Sequence, residues 1–266
     1  MMVPSLRPLA RVAGALPLIV LSIVLSAQMF AKDRREGDGG SAGEKADGLP
    51  IKNDPPRFLF SEQPAILILI DGDPVYRSIE GTDLQRVVNT KPFIVRDMDG
   101  IHYLKAFDGW MQAYIVTGLW SAGVPPAGAE RGLQQAVAAG TVDLLDGPIP
   151  GKRDETPTLA AGGVGTVFVS TEPAELIVTS GPFQFALVEG TSLKYVENTT
   201  ANVFKEPTDD ELYVLSAGRW FRSWRTDGPW QFVPSNELPA DFAAIPDSSP
   251  KASVKASIAG TTQTPR

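Results

Sequence analysis

The sequence predicts a mainly β fold, made of two tandem small antiparallel β modules with short terminal helices, behind one N-terminal hydrophobic helix. Three observations predict it. The first is an internal repeat. Residues 64–90, PAILILIDGDPVYRSIEGTDLQRVVNT, match residues 173–199, PAELIVTSGPFQFALVEGTSLKYVENT, at a constant offset of 109, and 12 of the 27 positions are identical. Unrelated segments of that length would share roughly two. The second is the pattern inside the repeat, where short apolar or alternating runs are punctuated by Pro, Gly and Asp. The third is composition: among 266 residues there are 25 Gly and 23 Pro, which favours many short elements joined by turns.

The identities pair Pro64 with Pro173, Gly72 with Gly181, Glu80-Gly81-Thr82 with Glu189-Gly190-Thr191, and Asn89-Thr90 with Asn198-Thr199. One inserted residue moves the offset to 110, and Tyr103/Tyr213, Trp110/Trp220, Gly118/Gly228 and Trp120/Trp230 then match. After ten more inserted residues, Ala139-Gly140-Thr141 recurs as Ala259-Gly260-Thr261. Such a pattern is a duplication.

Strands are expected at Phe58–Ser61, Ile66–Ile70, Leu84–Val88, Phe93–Arg96, Ile101–Lys105 and Trp110–Val116. Asp99-Gly100 and Asp108-Gly109 are the hairpin-turn signals. Each copy should end in one or two short helices. In copy two, Ser249-Pro250 offers an N-cap with Pro at the first helical position, and Gly260 offers a stop. The modules therefore run from 57–141 and 166–262, joined by a linker over 142–165. Units of this size bury a modest core, so the copies are expected to lean on one another.

Ahead of the modules, Val12–Ala31 contains no charge, with Arg7 and Arg11 before it and Lys32, Arg34 and Arg35 after it. Twenty apolar residues span a hydrocarbon core as a helix. Residues 1–31 read as a signal or membrane anchor, and a retained anchor is favoured because neither Ala27 nor Ala31 ends a good A-x-A cleavage site. Residues 32–56 are charged and Gly-rich, a flexible linker. An extracytoplasmic, envelope-associated location follows as the expectation.

Catalytic material is scarce. The chain has one His and no Cys, which leaves triads and zinc sites almost nothing to work with. His102 reads as an ordinary strand residue. Asp97-Met98-Asp99-Gly100 opens like a calcium loop but lacks the Glu of its twelfth position, so a β-turn is expected. Glu80 and Glu189 each precede Gly-Thr at a turn, which assigns them a structural role. Asn198-Thr199-Thr200 forms a glycosylation sequon. The formal charge of −7 repels phosphate backbones and argues against nucleic acid. The expectation is a non-enzymatic protein with no cofactor and no metal.

The aromatic strand is the informative surface. Alternation puts Trp220, Arg222 and Trp224 on one strand face, and Trp110, Gln112 and Tyr114 on the matching face of copy one. Rings with a hydrogen-bonding Arg or Gln between them suit a sugar chain. The same rings could instead pack under the terminal helices, with Arg222 stacked among them.

The stretches ELYVLSAGRWFRSWRTDGPWQFVPSNELPADFAAIPDSSPKASV and VFVSTEPAELIVTSGPFQF resemble the repeat units of bacterial envelope proteins catalogued as carbohydrate-binding family V/XII. The resemblance covers about 55–262, and its distinctive part is GRWF…GPW…LPADF…IP-x-x-SP. That label rests on likeness to small chitin-binding modules in which a Tyr and exposed Trp residues contact sugar. Tyr213, Trp220, Trp224 and Trp230 are the positions that fit, although Trp220-Phe221 stands where those modules have adjacent Trp residues. The resemblance implies tandem binding modules for polysaccharide. A structural or assembly protein, using the modules for contacts with other envelope proteins, is the alternative.

Overall fold

The computed structural model describes residues 53–147, 158–159 and 165–260, together with the backbone of 22–24. It is mainly β, with two six-stranded antiparallel sheets and few short helices. The predicted N-terminal helix and linker lie outside these residues, save residues 53–56 of the linker, which form no regular element, and Ser22–Val24, a short strand (β1) parallel to β3 (Ala65–Leu69). Among the described residues no helix is long and apolar enough to cross a membrane.

Copy one opens with β2 (Arg57–Ser61) and β3, then forms a meander of β4 (Tyr76–Ser78), β5 (Gln85–Val87), β6 (Ile94–Arg96), β7 (His102–Ala106), β8 (Gly109–Ala113) and β9 (Ser121–Ala122). Helix α1 (Ala129–Ala138) closes it. Copy two repeats this as β10 (Thr166–Ser170) and β11 (Ala174–Val178), then β12 (Phe185–Leu187), β13 (Lys194–Val196), β14 (Asn202–Lys205), β15 (Leu212–Ser216), β16 (Arg219–Ser223) and β17 (Gln231–Val233). Its helical end is broken into α2 (Ala240–Ala243) and a 3-10 helix (Ala252–Ser257).

The registers repeat with the sequence offsets. Tyr76 pairs with Val87 as Phe185 pairs with Val196, an offset of 109, and Met111 pairs with Ala122 as Phe221 pairs with Phe232, an offset of 110. The inserted residue sits in the turn between β14 and β15. Shared register is shared pairing, so the duplication is a duplication of topology.

The first two strands of each copy depart from a simple tandem arrangement. β3 does not pair with β2. It pairs in parallel with β10 of the other copy, Ala65 opposite Thr166, while β11 pairs with β2, Ala174 opposite Arg57. These two registers are the same one shifted by 109 on each strand. The copies have exchanged their first strands symmetrically.

That exchange explains the unbroken apolar run of β3. Ile66, Ile68 and Ile70 pack with Val87, Ile94, Leu104 and Met111 of the copy-one sheet, and with Val167 and Val169 of β10. The opposite face, Ala65 and Leu67, meets Leu176 and Val178 of β11. A strand covered on both faces has no polar side. Phe58 and Ile177 pack likewise on Val196, Val203, Val214 and Phe221 of the copy-two sheet. The outer face of each sheet is covered by its own helices. In copy one α1 lies close enough that a Cβ at Gly132 would come within 2.8 Å of Ile79.

One pair breaks the symmetry. Ile66 and Ala106 of copy one correspond to Glu175 and Ser216, and the Ser216 hydroxyl donates to the Glu175 carboxylate. Burial pushes the Glu175 carboxyl above its usual range, and the Ser216 hydrogen bond offsets part of this. A raised carboxyl pKa means that stability present at acid pH is lost as pH rises through the folded value. Installing the copy-one pair, Glu175→Ile with Ser216→Ala, should stabilise the protein by about 1–2 kcal/mol at neutral pH and less in acid. Denaturant titrations at two pH values measure this. A variant less stable at neutral pH would refute it.

The repeated polar residues close turns. Asn89 Nδ2 donates to the Asp71 and Asp73 carbonyls, each at 2.8 Å, and its Oδ1 accepts from Val75 N–H. Asn198 does the same with Ser180, Pro182 and Gln184. Thr82 and Thr191 each donate to the carbonyl three residues back, beside Gly81 (φ 72°) and Gly190 (φ 75°).

Several expected elements moved. β4 and β9 were not legible, being short polar edge strands. The β7–β8 turn centres on Phe107-Asp108 rather than Asp108-Gly109, because Gly109 already pairs with Ala106. Phe107 takes a φ of 47°, held by its buried ring and by its N–H donated to the Leu145 carbonyl. The last helix begins at Ala252, two residues beyond Pro250, with Ser249 Oγ accepting the Lys251 N–H at 3.2 Å.

Candidate functional site

β8 and β16 alternate as expected, but helices divide the aromatic face. Trp220 lies under α2 and the 3-10 helix with 1% of its surface exposed, 5.0 Å from the Phe242 ring, and its Nε1 donates to the Ser257 carbonyl at 2.9 Å. Trp110 is buried under α1, and its Nε1 donates to Glu130 Oε1 at 2.8 Å. Tyr213 is buried beside Phe242. These three are core residues, which removes Trp110 and Trp220 from the contiguous platform drawn from alternation, and Tyr213 from the sugar contacts that the resemblance implies. Trp230 is half-buried on the other face, against Phe58 and Phe60 of the exchanged β2.

Beyond the helices the same faces open to solvent. Trp224 is 72% exposed and Tyr114 82%, at equivalent positions just after β16 and β8. No stacking ring partner to either occurs among the described residues, so the surface offers one ring per copy.

The surroundings of the two rings differ. In copy two, Arg222 precedes Trp224 by two residues and is held at 3.3 Å by Glu211. Burial raises the Glu211 carboxyl pKa, and Arg222 pulls it back. Tyr213 donates to Glu211 and to Asp209, each at 3.3 Å, and burial, with Asp209 adding to it, pushes its phenol well above the ordinary range. Arg225, next to Trp224, pairs with Asp227, Nε to Oδ1 2.7 Å. In copy one, Ile101 and Gln112 replace Glu211 and Arg222 and line, with Tyr114, Leu119, Trp120 and Ser121, a shallow cleft of about 250 Å³.

The polar residues singled out from the sequence are tied into the fold. His102 is buried in β7, and its Nε2 is hydrogen-bonded to the Tyr76 hydroxyl at 2.8 Å. Burial first, and Arg96 second, lower its pKa. Arg96 stacks 3.7 Å over the Tyr76 ring. Asp97 is a turn residue, accepting from Ile101 N–H at 2.9 Å and from the Tyr103 hydroxyl at 3.1 Å. Asn198 of the sequon spends both donors and its acceptor on the backbone, which leaves no free amide for a glycan. Among the described residues no group of three His, Cys, Asp or Glu side chains could hold a metal.

Sequence reasoning missed Leu119, which lines the copy-one cleft. Alternation groups Ile115 with Met111 and Ala113 on the core-like face, but Ile115 lies beyond the end of β8 and is exposed. Comparison with family models, with curated proteins and with solved structures finds no match to this chain.

Proposed function

We propose that the chain is a non-enzymatic, membrane-attached envelope protein whose β modules bind, and that copy two takes polysaccharide. The exposed Trp224 beside the Glu211-held Arg222 is the observation that supports this most. A planar ring in solvent covers the apolar face of a sugar, and a fixed guanidinium donates to its hydroxyls. The resemblance of the GRWF…GPW segment to the envelope repeat proteins supports the same ligand class, and the uncharged run Val12–Ala31 supports the membrane attachment. Neutral chitin or peptidoglycan fragments titrated into the full chain should quench Trp fluorescence. Trp224→Ala should lose about 1–2 kcal/mol of that binding. Equal binding by wild type and variant would remove Trp224 from the site.

The second reading, a structural or assembly protein, is favoured by the buried Trp110 and Trp220 and by the exchanged strands, which make the two copies one body. Failure of every glycan to bind, with a protein captured through the Trp224 face, would favour it.

A further inference from the structure

The two copies diverge sharply in the segment that follows the long hairpin. From Gly109 to Ala129 copy one has no charged residue, whereas the matching stretch of copy two, 219–239, carries Arg219, Arg222, Arg225, Asp227 and Glu237. Where copy two places the Arg225–Asp227 pair, copy one has Ile115 and Thr117. The side chains that replaced charge are not covered. Leu119 is 91% exposed, Val124 82% and Ile115 66%, next to Tyr114 and around the half-buried Trp120. Single exposed aliphatics are ordinary, but this many in one uncharged segment mark an interaction surface.

We propose that the segment Tyr114–Val124 of copy one inserts into the interface of a lipid bilayer. Aliphatic tips flanked by Tyr and Trp suit the boundary between headgroups and acyl chains, and a charge there would oppose insertion. Protein interfaces carry a polar, charged rim around their apolar centre, and 109–129 supplies no charge for one. Copy one then faces the membrane. This placement rests on the membrane attachment proposed above.

The chain has no Cys, so a single one can be introduced and labelled. Leu119→Cys and, in the matching segment of copy two, Ser235→Cys, each carrying an environment-sensitive dye, are compared in the full chain reconstituted into phosphatidylcholine–phosphatidylglycerol vesicles. Both positions are exposed, so folding should survive labelling. At position 119 the emission should shift to the blue and be quenched by lipids spin-labelled near the headgroup, with neither change at 235. Chain that floats with the vesicles but shows no quenching at 119, or equal quenching at both positions, overturns the proposal and leaves membrane attachment standing. A dye at 119 shielded from aqueous iodide yet untouched by lipid quencher places protein there and also overturns it. Chain that fails to float with the vesicles overturns both.

Discussion

Residues 53–147, made without the second copy, are expected to show no cooperative unfolding transition as a monomer. The fragment retains its six-stranded sheet and α1, but β2 and β3 each lose the strand they pair with. Four buried side chains from copy two leave with them: Val167 and Val169 from the sheet side of β3, and Leu176 and Val178 from its other face. Burial of each is worth about 1.5–3 kcal/mol, so the loss is about 6–12 kcal/mol. A whole domain has about 5–15 kcal/mol of net stability. Thermal unfolding followed by circular dichroism measures this, and adding the fragment 158–266 should restore a transition. Homodimerisation at high concentration would fit the same geometry, since one copy carries both strand types. A monomeric fragment that melts cooperatively within a few degrees of the full chain would refute the exchange of strands.

The second large effect separates two Trp residues four positions apart. Trp220→Ala is expected to cost about 3–5 kcal/mol, as truncation of a large buried aromatic does. The ring fills the space between Phe204, at 5.8 Å, and Phe242, and its departure also leaves the Ser257 carbonyl without its donor. For a body of this size that lowers the melting temperature by about 6–20 °C. Trp224→Ala, at an exposed site, should change stability by about 0.5 kcal/mol or less. Parallel melts of the two variants decide it. Equal costs would mean that Trp224 is packed and cannot serve as a free contact ring.

Some of this was legible from residues alone. The ungapped match of 64–90 with 173–199 carried the shared register of both sheets, because residues repeated in step must repeat their pairing. Asn89 and Asn198 recur because each closes the same loop with its whole amide. Alternation correctly put Trp110, Gln112 and Tyr114 on one face. It could not say that α1 covers the Trp110 end and leaves Tyr114 in water, since that depends on where a helix some twenty residues later comes to rest. Nor could it choose the partner of β3. β2 and β10 are copies of one another, so each can complete β3 with similar contacts, and local pattern does not distinguish them. Tertiary structure made that choice, and with it joined two repeats into one body by burying β3 and β11 between both sheets.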